Sequence, residues 1–172
     1  MSAPTPAPAA PLVLAFSDRT SERCPVSTDA GVVAFVDAHG SDFQVVTPDA
    51  AVVCRGGTVP RSFGRRWQVT DPQGEDVLTL TGWGRSTDIR LADGRELRAT
   101  GAMLSRHWTV TGGGDAVVVR TVAADSASLG FHPRSWLLEQ DGSLSWLQFV
   151  AVVQVRRQAE QRRRRFTENL PI

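Results

Sequence analysis

The segment from Trp146 to Arg165, WLQFVAVVQVRRQAEQRRRR, limits the possible folds more than any other part of the chain. Between Leu144 and Val155, apolar side chains would cover nearly the full circumference of a helix, so such a helix has to be enclosed on all sides. A bilayer span needs about 20 apolar residues, whereas this run offers about twelve and contains Gln148 and Gln154. The surroundings of the segment are therefore predicted to be protein.

A strand is the competing local interpretation because the segment is rich in valine. We favour a helix because the segment continues without a breaker into RRQAEQRRRR, whose residues are good helix formers. Ser143 follows the Asp141-Gly142 turn and can cap this helix, which is predicted to span about 143–163.

The region before the helix is built of short apolar runs separated by turn residues, which indicates strands. Three hairpins are predicted from alternating patterns: RRWQVTDPQGEDVLTL, DIRLADGRELRAT and HWTVTGGGDAVVVRT. In the third hairpin, Trp108 and Val110 are expected to share the apolar face with Val117 and Val119. Weaker candidate strands are Leu12–Phe16, Val32–Val36, Phe43–Val46, Ala51–Cys54, SASLGF and SWLLEQ.

These candidates amount to nearly a dozen strands. A large antiparallel sheet has two exposed edges unless it closes into a barrel. A barrel of this size is too wide for its own side chains to fill. We therefore predict a mainly β protein: a closed antiparallel barrel of about twelve strands that encloses the C-terminal hydrophobic helix. The predicted organisation is a disordered Pro/Ala-rich leader over 1–11, the barrel with its central helix over 12–165, and a flexible tail over 166–172.

The composition suits one globular domain, since 41% of the 172 residues are hydrophobic and 22% are charged. The net charge of +1 conceals an asymmetry, because 156–165 alone carries +5 and the remaining chain −4. Cys24 and Cys54 are expected to be reduced, because nothing upstream of the barrel is typical of an export signal. The predicted localisation is cytoplasmic, with the option of a peripheral position at a membrane.

Catalytic and cofactor motifs are missing from the sequence. There is no GxSxG, no P-loop and no zinc-ligand spacing. The glycines at 112–114 are expected to form a hairpin turn, and His39, His107 and His132 are expected to be strand or surface residues. We expect no catalytic residues, no metal and no cofactor.

The arginines are the candidate binding residues. Arg162, Arg163, Arg164 and Arg165 can complement the negative end of the helix dipole, or they can hold anionic lipid. Arg65 and Arg66, close to Arg61 in RSFGRRW, form a second candidate anion site, with solvated strand-end arginines as the alternative. Nucleic acid is an unlikely partner because the rest of the domain is acidic and would repel a polyanion.

The three hairpins followed by a buried terminal helix resemble the tubby C-terminal-like superfamily, which includes LURP-one-related proteins and phospholipid scramblases. The resemblance covers roughly 60–155 and implies a twelve-stranded closed barrel around a central hydrophobic helix. Tubby domains bind phosphoinositide headgroups through basic side chains, but those positions do not match this chain residue by residue. The cysteine cluster and acidic calcium loop of the scramblases are absent from this sequence.

These observations lead to a hypothesis of a non-enzymatic binding or scaffolding module that docks to anionic lipid or to a protein partner. One alternative is a hydrolase or lipid-modifying enzyme with a site at the rim of the barrel. Another is a protein-interaction subunit that does not bind lipid. A shared fold does not decide between them.

Overall fold

Twelve antiparallel strands form a closed barrel. A computed structural model of the protein describes residues 11–17, 23–63, 65–82, 85–101, 107–122 and 135–168, excluding the side chains of 135, 136 and 163–168. Each strand pairs with its neighbours in the chain, and β1 also pairs with β12, which closes the barrel as predicted. The strands are β1 Val13–Ser17, β2 Arg23–Thr28, β3 Gly31–His39, β4 Asp42–Val46, β5 Val52–Thr58, β6 Arg66–Thr70, β7 Asp76–Thr81, β8 Ser86–Leu91, β9 Glu96–Gly101, β10 Trp108–Thr111, β11 Val117–Val122 and β12 Ser135–Gln140.

The three predicted hairpins are present as β6–β7, β8–β9 and β10–β11. Alternate residues of these strands face the interior, which buries Trp67, Ile89 and Trp108. In the third hairpin the register shifts between Val110 and Thr111. A bulge of this kind reverses the side on which the following residues lie. Val117 is therefore 47% exposed, contrary to the prediction, whereas Val119 faces the core.

One strand is missing from the sequence-based prediction. β2 contains Pro25, and a proline within an apolar run argues against a strand because it cannot donate to the ladder. In the structure Pro25 lies opposite Phe35, and β2 pairs with both β1 and β3. The predicted strand SASLGF falls outside the described residues, as do the leader up to residue 10 and the chain from 169 onward.

The alternating direction of the strands places their connections at two opposite rims. We call the end with the β2–β3, β4–β5, β6–β7, β8–β9, β10–β11 and β12–α1 connections the proximal rim. The end with the β1–β2, β3–β4, β5–β6, β7–β8, β9–β10 and β11–β12 connections is the distal rim. The helix α1, Trp146–Glu168, starts at the proximal rim and runs toward the distal rim.

A capping box starts α1. The Ser145 hydroxyl accepts a hydrogen bond from the Gln148 backbone N–H (3.1 Å), and the Gln148 side-chain oxygen accepts one from the Ser145 N–H (3.0 Å). The predicted start at Ser143 is two residues early. The reason is that the amides of Ser143 and Leu144 are already bonded to the side chains of Asp141 and Gln140. At its other end the helix passes the predicted limit of 163 and includes 166–168 of the predicted tail.

The apolar part of α1 from Phe149 to Val155 is enclosed, as predicted, whereas Trp146 and Leu147 at its start are partly exposed. Its side chains contact the inward-facing residues of the barrel, most closely those of β5, β6 and β7. The lumen is therefore filled by the helix, which forms one core with the wall. The helix residues with no exposed surface are Phe149, Val150, Ala151, Val152, Val153 and Val155.

Candidate functional site: the arginine-rich distal rim

Two hydrogen bonds fix the depth of α1 in the barrel. At the proximal rim, the Gln148 side chain donates to Asp93 in the β8–β9 connection (3.0 Å). At the distal rim, the Gln158 amide donates to the carbonyl of Gly40 in the β3–β4 connection (2.9 Å). Glu160 is still buried, Gln161 is partly exposed and Arg162 is exposed, so the helix leaves the barrel just after Glu160.

The arginine run lies beyond this exit. With a rise of 1.5 Å per residue, the backbone of 162–165 lies about 6 to 10 Å past Gln158 along the helix axis. Arg162, the member of the run whose side chain the structure describes, is exposed. The run is thus carried outward on the helix, in front of the distal rim.

Arg156 and Arg157 do not belong to this surface, although they adjoin it in sequence. Both are buried inside the barrel, with 4% and 6% of their surface exposed. The Arg157 guanidinium stacks on the ring of Phe16, 5.0 Å from its centroid, and donates to the Gln154 side-chain oxygen (3.3 Å). The charge of 156–165 is therefore divided between an enclosed part and an external part.

This division was not predicted from the sequence, and a comparison of strand and helix lengths would have predicted only part of it. A six-residue strand spans about 20 Å, but barrel strands tilt by about 40° from the axis, so the barrel is about 15 Å tall, which equals the rise of about 10 helical residues. Counted from the first residue of the helix, that height ends near Val155. The comparison therefore assigns Arg162 to the exterior, but it places Arg156 and Arg157 at the boundary rather than in the lumen.

The β5–β6 connection supplies the second group of arginines. Arg61 and Arg65 lie within it, Arg66 begins β6, and all three are exposed. The connection is bonded to itself at its base, where the Ser62 hydroxyl donates to the Val59 carbonyl (2.6 Å). The ends of the connection are joined by the Val59 N–H, which donates to the Arg66 carbonyl (2.8 Å). These bonds tie the described parts of the connection together at its base.

Both predicted arginine groups lie at the same rim. The β5–β6 connection and the helix exit both belong to the distal rim, as does the β3–β4 connection that contacts Gln158. The Thr58 hydroxyl at the end of β5 donates to the Ser41 hydroxyl in the β3–β4 connection (3.3 Å). The two groups are nearly 100 residues apart in sequence, and the closed topology brings them to one end of the molecule.

Acidic side chains gather at the opposite rim. The proximal connections contain seven carboxylates against one arginine, Arg95, so their formal charge is −6. The described parts of the distal connections contain Arg61, Arg65 and Arg85, and no carboxylate. The described connections are therefore negative at the proximal rim and positive at the distal rim. The seven proximal carboxylates are Asp29, Asp49, Asp71, Glu75, Asp93, Asp115 and Asp141.

The positive charge of Arg95 is engaged locally. Its guanidinium donates two hydrogen bonds to Asp93 (3.0 and 2.8 Å) and one to the Ser143 carbonyl (2.9 Å). The two guanidinium bonds to Asp93, with further donation from the Arg95 backbone and the Gln148 side chain, lower the pKa of Asp93 to about 2. Arg95 therefore joins the β8–β9 connection to the start of the helix.

The outer wall carries a polar groove of about 540 Å³ that includes Arg66 in its lining. Opposite charges on neighbouring strands pair across this groove: Arg90 with Glu96 (2.6 Å), and Arg98 with Asp88 (3.0 Å). Exposed pairs of this kind contribute little to stability. The charges within each of these two pairs cancel.

The described residues contain no group of three or more His, Cys, Asp or Glu side chains that could hold a metal ion. His39 and His107 are exposed, and His132 falls outside the described part of the chain. Neither Cys24 nor Cys54 forms a disulfide. Cys24 and Cys54 lie three strands apart, about 14 Å, which is too far for a disulfide. Burial raises the pKa of the Cys54 thiol to about 12.

Fold and site together define a class: a small barrel with a central helix whose arginine-rich end passes out through one rim. The architecture is similar to that of an Arabidopsis thaliana protein solved by X-ray crystallography, with a TM-score of 0.58 and 16% identical residues. The similarity covers 86% of this chain and 90% of that one, and at this identity it shows the fold alone. The chain matches no family model and no curated protein sequence.

Among the described residues, no helix is long and apolar enough to cross a membrane.

Proposed function

We propose that the protein is a non-enzymatic binding module of the tubby-like kind, which docks its distal rim onto an anionic lipid surface. The observation that carries this proposal is the separation of charge between the two rims. The arginines of the β5–β6 connection and of the projecting helix lie at one end, and seven carboxylates lie at the other.

The length of the barrel makes this separation effective. Strands of this length span about 20 Å and tilt by about 40° in a barrel, so the rims are about 15 Å apart, whereas electrostatic interactions decay over about 8 Å at physiological salt. A negative surface at the distal rim therefore attracts the arginines while the acidic rim stays screened. The same separation orients the molecule before contact, with its acidic end away from the membrane.

The projecting helix supplies most of the expected attraction. Each basic residue near an anionic leaflet contributes about 1 kcal/mol, so the four arginines from 162 to 165 together contribute about 4 kcal/mol. That energy corresponds to an affinity change of about a thousandfold. Arg61, Arg65 and Arg66 add to it from the β5–β6 connection.

Co-sedimentation with vesicles tests the proposal. We expect the wild-type protein to bind equimolar phosphatidylcholine and phosphatidylserine vesicles at low salt, and not vesicles of phosphatidylcholine alone. Replacement of Arg162, Arg163, Arg164 and Arg165 by Gln is expected to lower the affinity by about a thousandfold. The circular dichroism of this variant should match the wild type, because these residues lie beyond the barrel.

A matched control removes the same charge from another place. Arg55, Arg90, Arg98 and Arg120 are exposed on the outer wall of the barrel, and their replacement by Gln also changes the net charge by −4. This wall variant should keep most of the wild-type affinity. Equal losses in the two variants would show that net charge alone matters. Absence of wild-type binding at low salt would contradict the proposal.

A further inference from the structure

Phe63 is the most exposed large hydrophobic side chain among the described residues. It lies in the β5–β6 connection at the distal rim, and 88% of its surface is accessible. The other exposed large hydrophobic side chains are Leu12, Val32 and Val117, at 46% to 56%, and they lie toward the proximal rim. Single exposed hydrophobic residues are common on protein surfaces, but Phe63 differs from the other three in its backbone conformation and in the exposed arginines beside it in the sequence.

The backbone holds Phe63 in this exposed position. Phe63 and Arg61 have φ angles of 52° and 63°, a region that bulky residues rarely adopt. The Ser62 hydroxyl between them bonds to the carbonyl of Val59, and the Arg65 N–H donates to the Ser62 carbonyl (3.0 Å). Strained residues of this kind persist where the surrounding bonds enforce them, and they concentrate at binding sites.

The neighbours of Phe63 identify the surface that it fits. Arg61, Arg65 and Arg66 surround the ring in sequence, and all are exposed at the same rim. Guanidinium groups pair with lipid phosphates, and Phe is one of the apolar side chains that membrane-surface segments bury at the boundary between headgroups and acyl chains. An exposed apolar side chain between cations in one connection has the composition of an interfacial anchor.

We propose that Phe63 inserts into the apolar boundary of an anionic leaflet and anchors the distal rim there. This inference rests on the proposed function and adds a second, non-electrostatic contribution to it. Attraction by the arginines weakens as salt increases, whereas burial of the ring does not. The protein should therefore keep part of its membrane affinity at salt concentrations that screen the arginines.

The test compares two exposed hydrophobic residues at opposite ends of the barrel. Phe63→Ala is expected to weaken binding to equimolar phosphatidylcholine and phosphatidylserine vesicles about tenfold, at low salt and at about 0.15 M salt. Val117→Ala, at the proximal rim, should bind like the wild type. Phe63→Leu keeps an apolar tip and should retain most of the affinity. Urea unfolding should show that all three variants are folded.

A label at position 63 reports insertion directly. A Phe63→Cys protein in a Cys24→Ser background, labelled with an environment-sensitive fluorophore, should shift to the blue when vesicles are added. The remaining Cys54 thiol is buried in the folded protein and is expected to stay unlabelled.

The outcomes separate this inference from the proposed function. If the wild type binds anionic vesicles but Phe63→Ala binds equally well and the label does not shift, the arginines act alone and the anchor is refuted. If the wild type does not bind at all, the proposed function fails and the anchor fails with it. If Phe63→Ala loses a protein partner but no vesicle affinity, Phe63 belongs to a protein interface and the lipid anchor is likewise refuted.

Discussion

Replacement of Phe149 by Ala tests the enclosed helix most directly. Phe149 has no exposed surface, because it lies on α1 inside the barrel. Truncation of a buried Phe to Ala costs about 3 to 5 kcal/mol, since apolar contacts are lost and a cavity remains. A domain has about 5 to 15 kcal/mol of stability, so the variant should lose a large part of it. With a urea dependence of about 2 kcal/mol per molar, the midpoint of unfolding should fall by roughly 2 M.

The matched control is the same substitution at Phe63. Its side chain is 88% exposed, so Phe63→Ala should change the free energy of unfolding by no more than about 0.5 kcal/mol. Both variants can be measured by urea titration followed by circular dichroism. A shift of less than about 0.5 kcal/mol for Phe149→Ala would refute the enclosed helix. So would equal losses at the two positions.

Two further predictions concern the start of the helix. Ser145→Ala should reduce the free energy of unfolding in urea by about 1 kcal/mol because it removes the capping box, whereas Ser143→Ala should have a much smaller effect. The pKa of Asp93 is lower in the folded protein, about 2, than its ordinary value of 3.8, so its contribution to stability is present above pH 4 and is lost toward pH 2. The urea midpoint should therefore decline less between pH 4 and pH 2 in Asp93→Asn than in the wild type, and identical declines would contradict the assignment.

Much of the fold follows from local patterns. Ile89 and Leu97 are inward-facing because apolar residues alternate along β8 and β9, and this period of two is visible in the sequence. The position of Phe149 could be predicted because a helix that is apolar on every side has to be enclosed. β2 could not be predicted in this way because it contains Pro25, and a proline is unfavourable in a strand since it has no amide hydrogen to donate. The bulge beside Thr111 could not be predicted, because it depends on how two strands pair.

The candidate site depended more on tertiary structure. The arginine runs at 61–66 and 162–165 are evident in the sequence, but their position at one rim results from barrel closure and from the depth of the helix. Burial of Arg156 and exposure of Arg162 likewise depend on where the barrel ends along the helix. The exposure of Phe63 depends on the backbone of one connection.

The chain by itself determined that its apolar alternation would form strands and that its C-terminal helix would need enclosure, because side-chain periodicity and hydrophobicity are local properties. The tertiary structure alone decided which charges meet and which face solvent. Those outcomes depend on distances between residues far apart in sequence, and such distances are set only when the barrel closes around the helix.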